Sequence, residues 1–123
     1  MIKYLKIEIY NITVVMLKEP TNVEFETLYH DNVTRITDEE YRQMHTDIFS
    51  NERCGGFTYM LGCGDIVTCI KFPQKGYVAH ELLHTTNKIL GSRGIVADFE
   101  NDEAQAYLLA YLTEKYYEFF GDK

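Results

Sequence analysis

Between Gly76 and Gly91, the residues Val78, Ala79, Leu82, Leu83, Thr86, Ile89 and Leu90 recur at spacings of three and four. That is the period of a helix with one apolar, core-facing stripe. Lys75-Gly76 breaks the chain before the run, and Gly91 follows it as a C-cap. Tyr77, His80, His84 and Asn87 fall on nearly the opposite face. Within the run lies His80-Glu81-Leu82-Leu83-His84. Residues i and i+4 of a helix are about 40° apart around its axis, so both imidazoles share one face. Both can reach a single zinc ion at about 2.0–2.1 Å. Glu81 is turned by about 100° from His80. It is too far round to complete a compact tetrahedral set but within reach of a water held by the metal. Two ligands with a general base between them are the requirement for metal-assisted hydrolysis.

A zinc site of this kind needs a third protein ligand and leaves one position for water. The segment Asp98-Phe-Glu-Asn-Asp-Glu-Ala-Gln-Ala-Tyr-Leu-Leu-Ala-Tyr-Leu reads as the last helix, with Leu108, Leu109, Leu112, Tyr116 and Phe119 as its core stripe. Glu103 sits on another face with Ala106, Tyr107, Ala110 and Glu114, and the two alanines there let a neighbouring helix approach closely. Glu103 is the first candidate for the third ligand and Glu100 the second. Glu100 and Asp102 also fit as first-turn carboxylates that complement the helix dipole.

With the motif His-Glu-Leu-Leu-His followed after nineteen positions by Glu103 in Glu-Ala-Gln-Ala-Tyr, the chain resembles the gluzincin metallopeptidases, of which thermolysin is the familiar example. It looks most like small gluzincin-like proteins encoded by phages and prophages of gut bacteria, over roughly residues 55–118. The resemblance implies a zincin-like domain with one zinc ion per chain. By it, His80, His84 and Glu103 are the ligands and Glu81 is the catalytic base that activates a zinc-bound water to hydrolyse peptide bonds. Thermolysin-like enzymes place an aspartate four residues after the ligand glutamate; here that position is Tyr107. A phenol can also orient a ligand. Tyr107, Tyr77, Tyr59 and Arg93 are therefore the candidates for supporting a ligand or stabilising an oxyanion.

Elsewhere the pattern is strands first, helices last. Leu5, Ile7 and Ile9 alternate with polar residues, so 3–10 reads as a half-buried strand. Ile12 to Leu17 is its continuation or a second strand. Pro20-Thr-Asn breaks the run, and residues 23–36 favour no element. Thr37-Asp-Glu-Glu40 is a capping box opening a helix to about Phe49. Phe57–Leu61 and Ile66–Phe72 are strands joined by Gly62-Cys-Gly-Asp65, a hairpin signal. Asp65–Lys71 is either an edge strand that pairs with an extended peptide substrate or an ordinary paired strand. The expected fold is α+β: one domain over residues 1–123, with a mainly antiparallel sheet, then the His-Glu-x-x-His helix, then a C-terminal helix carrying the third ligand.

At 46% hydrophobic and 14% aromatic residues, the 123-residue chain can bury a core and is no disordered tail. A net charge of −7 argues against nucleic-acid binding, which needs clustered Lys and Arg. No segment reaches the ~18–20 apolar residues that span a bilayer, and the charged, alternating start is not a signal peptide. The expected location is cytoplasmic, with no membrane partner. Cys54, Cys63 and Cys69 contain no Cys-x-x-Cys pair, and their spacings match no common zinc module. The expected activity is a zinc-dependent metallopeptidase, a hydrolase acting on a peptide or protein. The alternative is a catalytically silent zinc-binding or interaction module of a phage or prophage.

Overall fold

A computed structural model describes residues 1–73 and 76–121. Lys75, half of the expected break before the histidine helix, lies outside the described residues. The strands are β1 (Ile2–Ile7), β2 (Ile12–Lys18), β3 (Gly56–Met60) and β4 (Ile66–Ile70); the helices are α1 (Asn22–Asp31), α2 (Asp38–Phe49), α3 (Tyr77–Ser92) and α4 (Glu103–Phe120). The strands form one sheet in the order β1-β2-β4-β3. β1–β2 and β3–β4 are antiparallel, while β2 and β4 run parallel. The architecture is α+β, with a mixed rather than wholly antiparallel sheet and helices on both of its faces.

The two inner strands explain themselves in sequence. Ile12–Leu17 and Ile66–Ile70 are almost continuously apolar because each is buried on both faces. Val14, Met16, Ile66 and Ile70 point to one core, shared with Val78, Leu82, Ile89 and Leu90 of α3 and Leu108, Leu112 and Tyr116 of α4. Val15, Leu17, Val67 and Cys69 point to the other, with Phe25 and Leu28 of α1 and Met44 and Ile48 of α2.

Several boundaries differ from the sequence reading. The first strand stops at Ile7, because Glu8–Tyr10 forms a 3-10 turn and Asn11 takes the left-handed conformation at φ 52°. Ile9 is thereby thrown out to 83% exposure. Residues 22–31 form α1, opened by a second capping box in which Thr21 and Glu24 exchange hydrogen bonds. Gly91 lies inside α3. The helix closes instead on Gly94, at φ 73°, with Ile95 N donating to Leu90 O and Gly94 N to Gly91 O in a Schellman pattern. The last helix starts at Glu103, not Asp98, because Asp98 and Asn101 exchange backbone hydrogen bonds in a tight turn.

β4 is paired on both sides, so Asp65–Lys71 is an ordinary paired strand and the free edge next to the histidine helix belongs to β3. No described helix is long and apolar enough to cross a membrane.

Candidate active site

α3 is preceded by Gly76 as its N-cap and packs on β3 and β4. Its buried residues are Val78, Glu81, Leu82, Thr85, Thr86, Ile89 and Leu90. The stripe is rotated from the sequence reading. Ala79 and Leu83 are exposed, while Glu81 and Thr85 are buried in their place. The cause is on the sheet. Thr58 of β3 and Thr68 of β4 stand opposite each other in register and offer hydroxyls to that side of the helix.

His80 and His84 lie on the outward face of α3. Their Nε2 atoms are 3.2 Å apart, and the rings are nearly perpendicular at 82°. Two nitrogens bound to one tetrahedral zinc at about 2.05 Å are separated by about 3.3 Å, so the pair already spans one edge of such a site. The same separation also suits an N–H···N hydrogen bond between two neutral rings. The side chain of Glu81 is only 6% exposed, and its Oε2 stands 3.7 Å from His80 Nε2. The motif residues are thus brought together as two open imidazoles beside one enclosed carboxylate.

Glu103 is the first residue of α4 and is exposed. Its turn is fastened to α3, because Gln105 Nε2 donates to Asn87 Oδ1 at 2.7 Å. Asn87 lies on the same face as His80 and His84. Among the described residues, no group of three or more His, Cys, Asp or Glu is gathered closely enough to hold a metal. The structure therefore brings the two histidines together and does not gather Glu103 with them. Glu100 lies in the Asp98–Asn101 turn, outside any helix, with its N–H bonded to Asp98 Oδ1.

Beside the motif opens a cleft of about 650 Å³, walled by the loop Arg53–Gly56 and by Gly76, Tyr77, His80 and Glu81. Two glycines set its floor. A Cβ on Gly55 would run into the Tyr77 ring, and one on Gly56 would lie 2.5 Å from Cys69 O and 3.1 Å from Glu81 Cγ. Helix and edge strand approach this closely only because residue 56 has no side chain.

Of the other candidates, only Tyr77 borders this cleft. Tyr59 packs toward α1 and α2 on the far side of the sheet. Tyr107 lines a separate groove against Lys6–Tyr10. Arg93 donates to the carbonyl of Tyr10. The three cysteines are free: Cys54 borders the cleft, Cys63 is exposed in the hairpin, and Cys69 is buried in the α1/α2 core. Burial pushes the Cys69 thiol far above its ordinary range.

Sequence reasoning missed Thr58, Thr68, Thr85, Gly55 and Gly56. A signal for the first two was present. Closing the hairpin at Gly62–Asp65 sets Thr58 opposite Thr68, a polar pair on a strand face that is otherwise apolar. No protein-family model, curated protein or solved structure matches this chain.

Proposed function

We propose that this chain is a zinc-dependent peptidase of the gluzincin type, in which His80, His84 and Glu103 hold one zinc ion and Glu81 is the general base. The observation that carries the reading is the pair of Nε2 atoms 3.2 Å apart on an open helix face, with an almost fully buried carboxylate beside them. A carboxylate is costly to bury without a matching charge, and Glu81 at 5% exposure is the sole charged side chain among the buried polar residues described. Next to two potential metal ligands, that cost is understandable as preorganisation of a base.

When bound, zinc supplies a Lewis acid and lowers the pKa of coordinated water toward about 7. Glu81 takes up the proton on the oxygen facing the histidines and returns it to the leaving amine. The free edge of β3 offers backbone N–H and C=O groups to an extended peptide, and the cleft between Arg53–Gly56 and Tyr77 receives one of its side chains. The substrate is accordingly a peptide or an unfolded stretch of protein.

One observation favours a second reading. The described residues gather no third donor at the histidine pair; of the two forms of silent module this fits an interaction module, since a structural zinc site takes four protein ligands. Zinc analysis of protein purified without added metal, and cleavage of a diverse peptide library by wild type and Glu81→Gln, separate the two. The expected result is about one zinc per chain, mostly lost in His84→Ala and weakened in Glu103→Ala. Cleavage should be sensitive to chelator and at least ~10²-fold slower in Glu81→Gln. Equal cleavage by both proteins would leave the silent module. Near-stoichiometric zinc in a His80→Ala/His84→Ala double variant would move the metal elsewhere.

A further inference from the structure

Three threonines converge on Glu81. Thr68 Oγ1 lies 2.6 Å from Thr85 Oγ1, Thr85 Oγ1 donates to Glu81 O at 2.8 Å, and Thr58 Oγ1 lies 2.9 Å from Glu81 Oε1 and 3.1 Å from Glu81 O. Thr58 Oγ1 also lies 3.4 Å from Thr85 Oγ1; the shorter contacts give one self-consistent direction for these bonds. The carbonyl of Glu81 has two lone pairs. One takes the helical N–H of residue 85 and the other the Thr85 hydroxyl. Thr85 has then used its proton and accepts that of Thr68. The carbonyl is saturated, so the single proton of Thr58 goes to the carboxylate at Oε1. Oε2, left without a donor among the described residues, is the oxygen 3.7 Å from His80 Nε2.

Comparison with other carboxylates of the molecule sharpens the point. Glu40, which is less buried, accepts from Thr37 N at Oε1 and from Gly62 N at Oε2, and the half-buried Glu24 accepts from Thr21 N and the N-terminal amine, both at Oε1. Glu81 is more buried than either and has one hydroxyl donor. Glu81 Oε2 is not among the buried side-chain atoms without a partner: it opens to the cleft that Glu81 lines, while Oε1 is held inward by Thr58.

We propose that Thr58 is a positioning residue: it pins Oε1 of Glu81 inward against β3 and so leaves Oε2 as the oxygen that faces the histidines and the cleft. Thr85 supports this by filling the carbonyl that would otherwise compete for the Thr58 proton, and Thr68 in turn bonds the Thr85 hydroxyl. The catalytic meaning of the arrangement rests on the peptidase reading above; the geometric claim does not.

The test compares full-length Thr58→Val, which keeps the shape and removes the hydroxyl, with Thr58→Ser, which keeps the hydroxyl. Crystal structures of the metal-free proteins provide the first readout. Glu81 should leave its inward position in Thr58→Val and keep it in Thr58→Ser. If Glu81 stays in place without the hydroxyl, or leaves in both variants, the proposal is overturned. If Thr58→Val does not fold, Thr58→Ala serves for the same comparison. The second readout is kinetics of the zinc-loaded proteins on a peptide cleaved by wild type. Thr58→Val should lose about 10²-fold in kcat with KM and zinc content unchanged, and Thr58→Ser should recover to within a few-fold. An unchanged kcat in Thr58→Val, or no recovery in Thr58→Ser, overturns it. Absence of cleavage by wild type defeats the peptidase reading and leaves the crystallographic comparison to decide the role of Thr58.

Discussion

A Cβ on Gly56 would stand 2.5 Å from the carbonyl oxygen of Cys69, a backbone atom held in the β3–β4 ladder that cannot swing aside. Gly56→Ala should therefore destabilise the protein by about 1–3 kcal/mol, the range for forcing a methyl group into a filled space. It should also displace Glu81, whose Cγ would be 3.1 Å from the new methyl. Urea unfolding gives the first number, and cleavage of a peptide by the folded variant the second; a variant as stable as wild type would show that β3 can yield. Tyr116 is the opposite case. It is 2% exposed, its hydroxyl finds no hydrogen-bond partner among the described residues, and burial pushes its ionisation up to about 12. Tyr116→Phe removes a buried polar atom with nothing to satisfy it, so stability should stay level or rise by up to about 1 kcal/mol. A loss of more than about 1 kcal/mol would mean that the hydroxyl has a partner. At this scale the motif residues were legible, because two histidines and a glutamate at helical spacing carry their own chemistry. Thr85 and the glycines were not, and Thr58 and Thr68 were legible only as a polar pair across the closed hairpin. Their roles depend on which backbone approaches them, and a threonine in a strand reads as ordinary strand composition.

The two N-terminal helices open with the same device, and only one was legible. Thr37–Glu40 stood before an amphipathic run and announced α2. Thr21–Glu24 has the same spacing, but it follows Pro20 and opens a helix that buries only Phe25 and Leu28, too few apolar contacts to show a period. The start of α4 misled for a related reason: Asp98, Glu100 and Asp102 have the acidic composition of a first helical turn, yet Asp98 Oδ1 caps a tight turn instead. The Thr37 box makes a pH prediction. Partial burial alone would raise the Glu40 carboxyl, but the N–H groups of Thr37 and Gly62 together outweigh it and hold the group below its ordinary value of 4.5. A carboxylate depressed on folding adds stability that is complete above its unfolded value and disappears as pH falls through the folded one. Glu40→Gln, which imitates the protonated form, should thus be less stable than wild type at pH 7, by about 0.5 kcal/mol for so accessible a group. The difference should shrink as pH falls below the ordinary value of 4.5 and close once it has passed through the lower, folded one. Thermal unfolding of both proteins across that range measures it; a constant gap would assign the loss to packing rather than charge.

At the scale of the molecule, the sequence showed strands before helices but not their order. The parallel pairing of β2 with β4 needs a crossover through α1, α2 and β3, and nothing local in Ile12–Leu17 or Ile66–Ile70 specifies it. That pairing has a physical consequence, because both inner strands belong to two cores at once: Ile66 and Ile70 face α3 and α4, while Val67 and Cys69 between them face α1 and α2. Neither helical layer can be lost without exposing the other side of the same two strands, so the layers should unfold together. Cys69 tests this from the side of the sheet opposite the histidines. It is fully buried and its thiol is held protonated, so it should react with a thiol reagent only in molecules that have unfolded. In a Cys54→Ser/Cys63→Ser background it is the single thiol of the three-cysteine chain. If zinc binds on α3, free metal at 100 times its dissociation constant stabilises the folded state by about 2.7 kcal/mol. Under conditions where labelling follows the unfolded population, the reaction of Cys69 should then slow about 100-fold, although the thiol is in a different core from α3. In the His80→Ala/His84→Ala protein the same zinc should leave the rate unchanged. Slower amide exchange in α3 and α4 with no change at Cys69 would show instead that the metal holds one layer while the other opens independently.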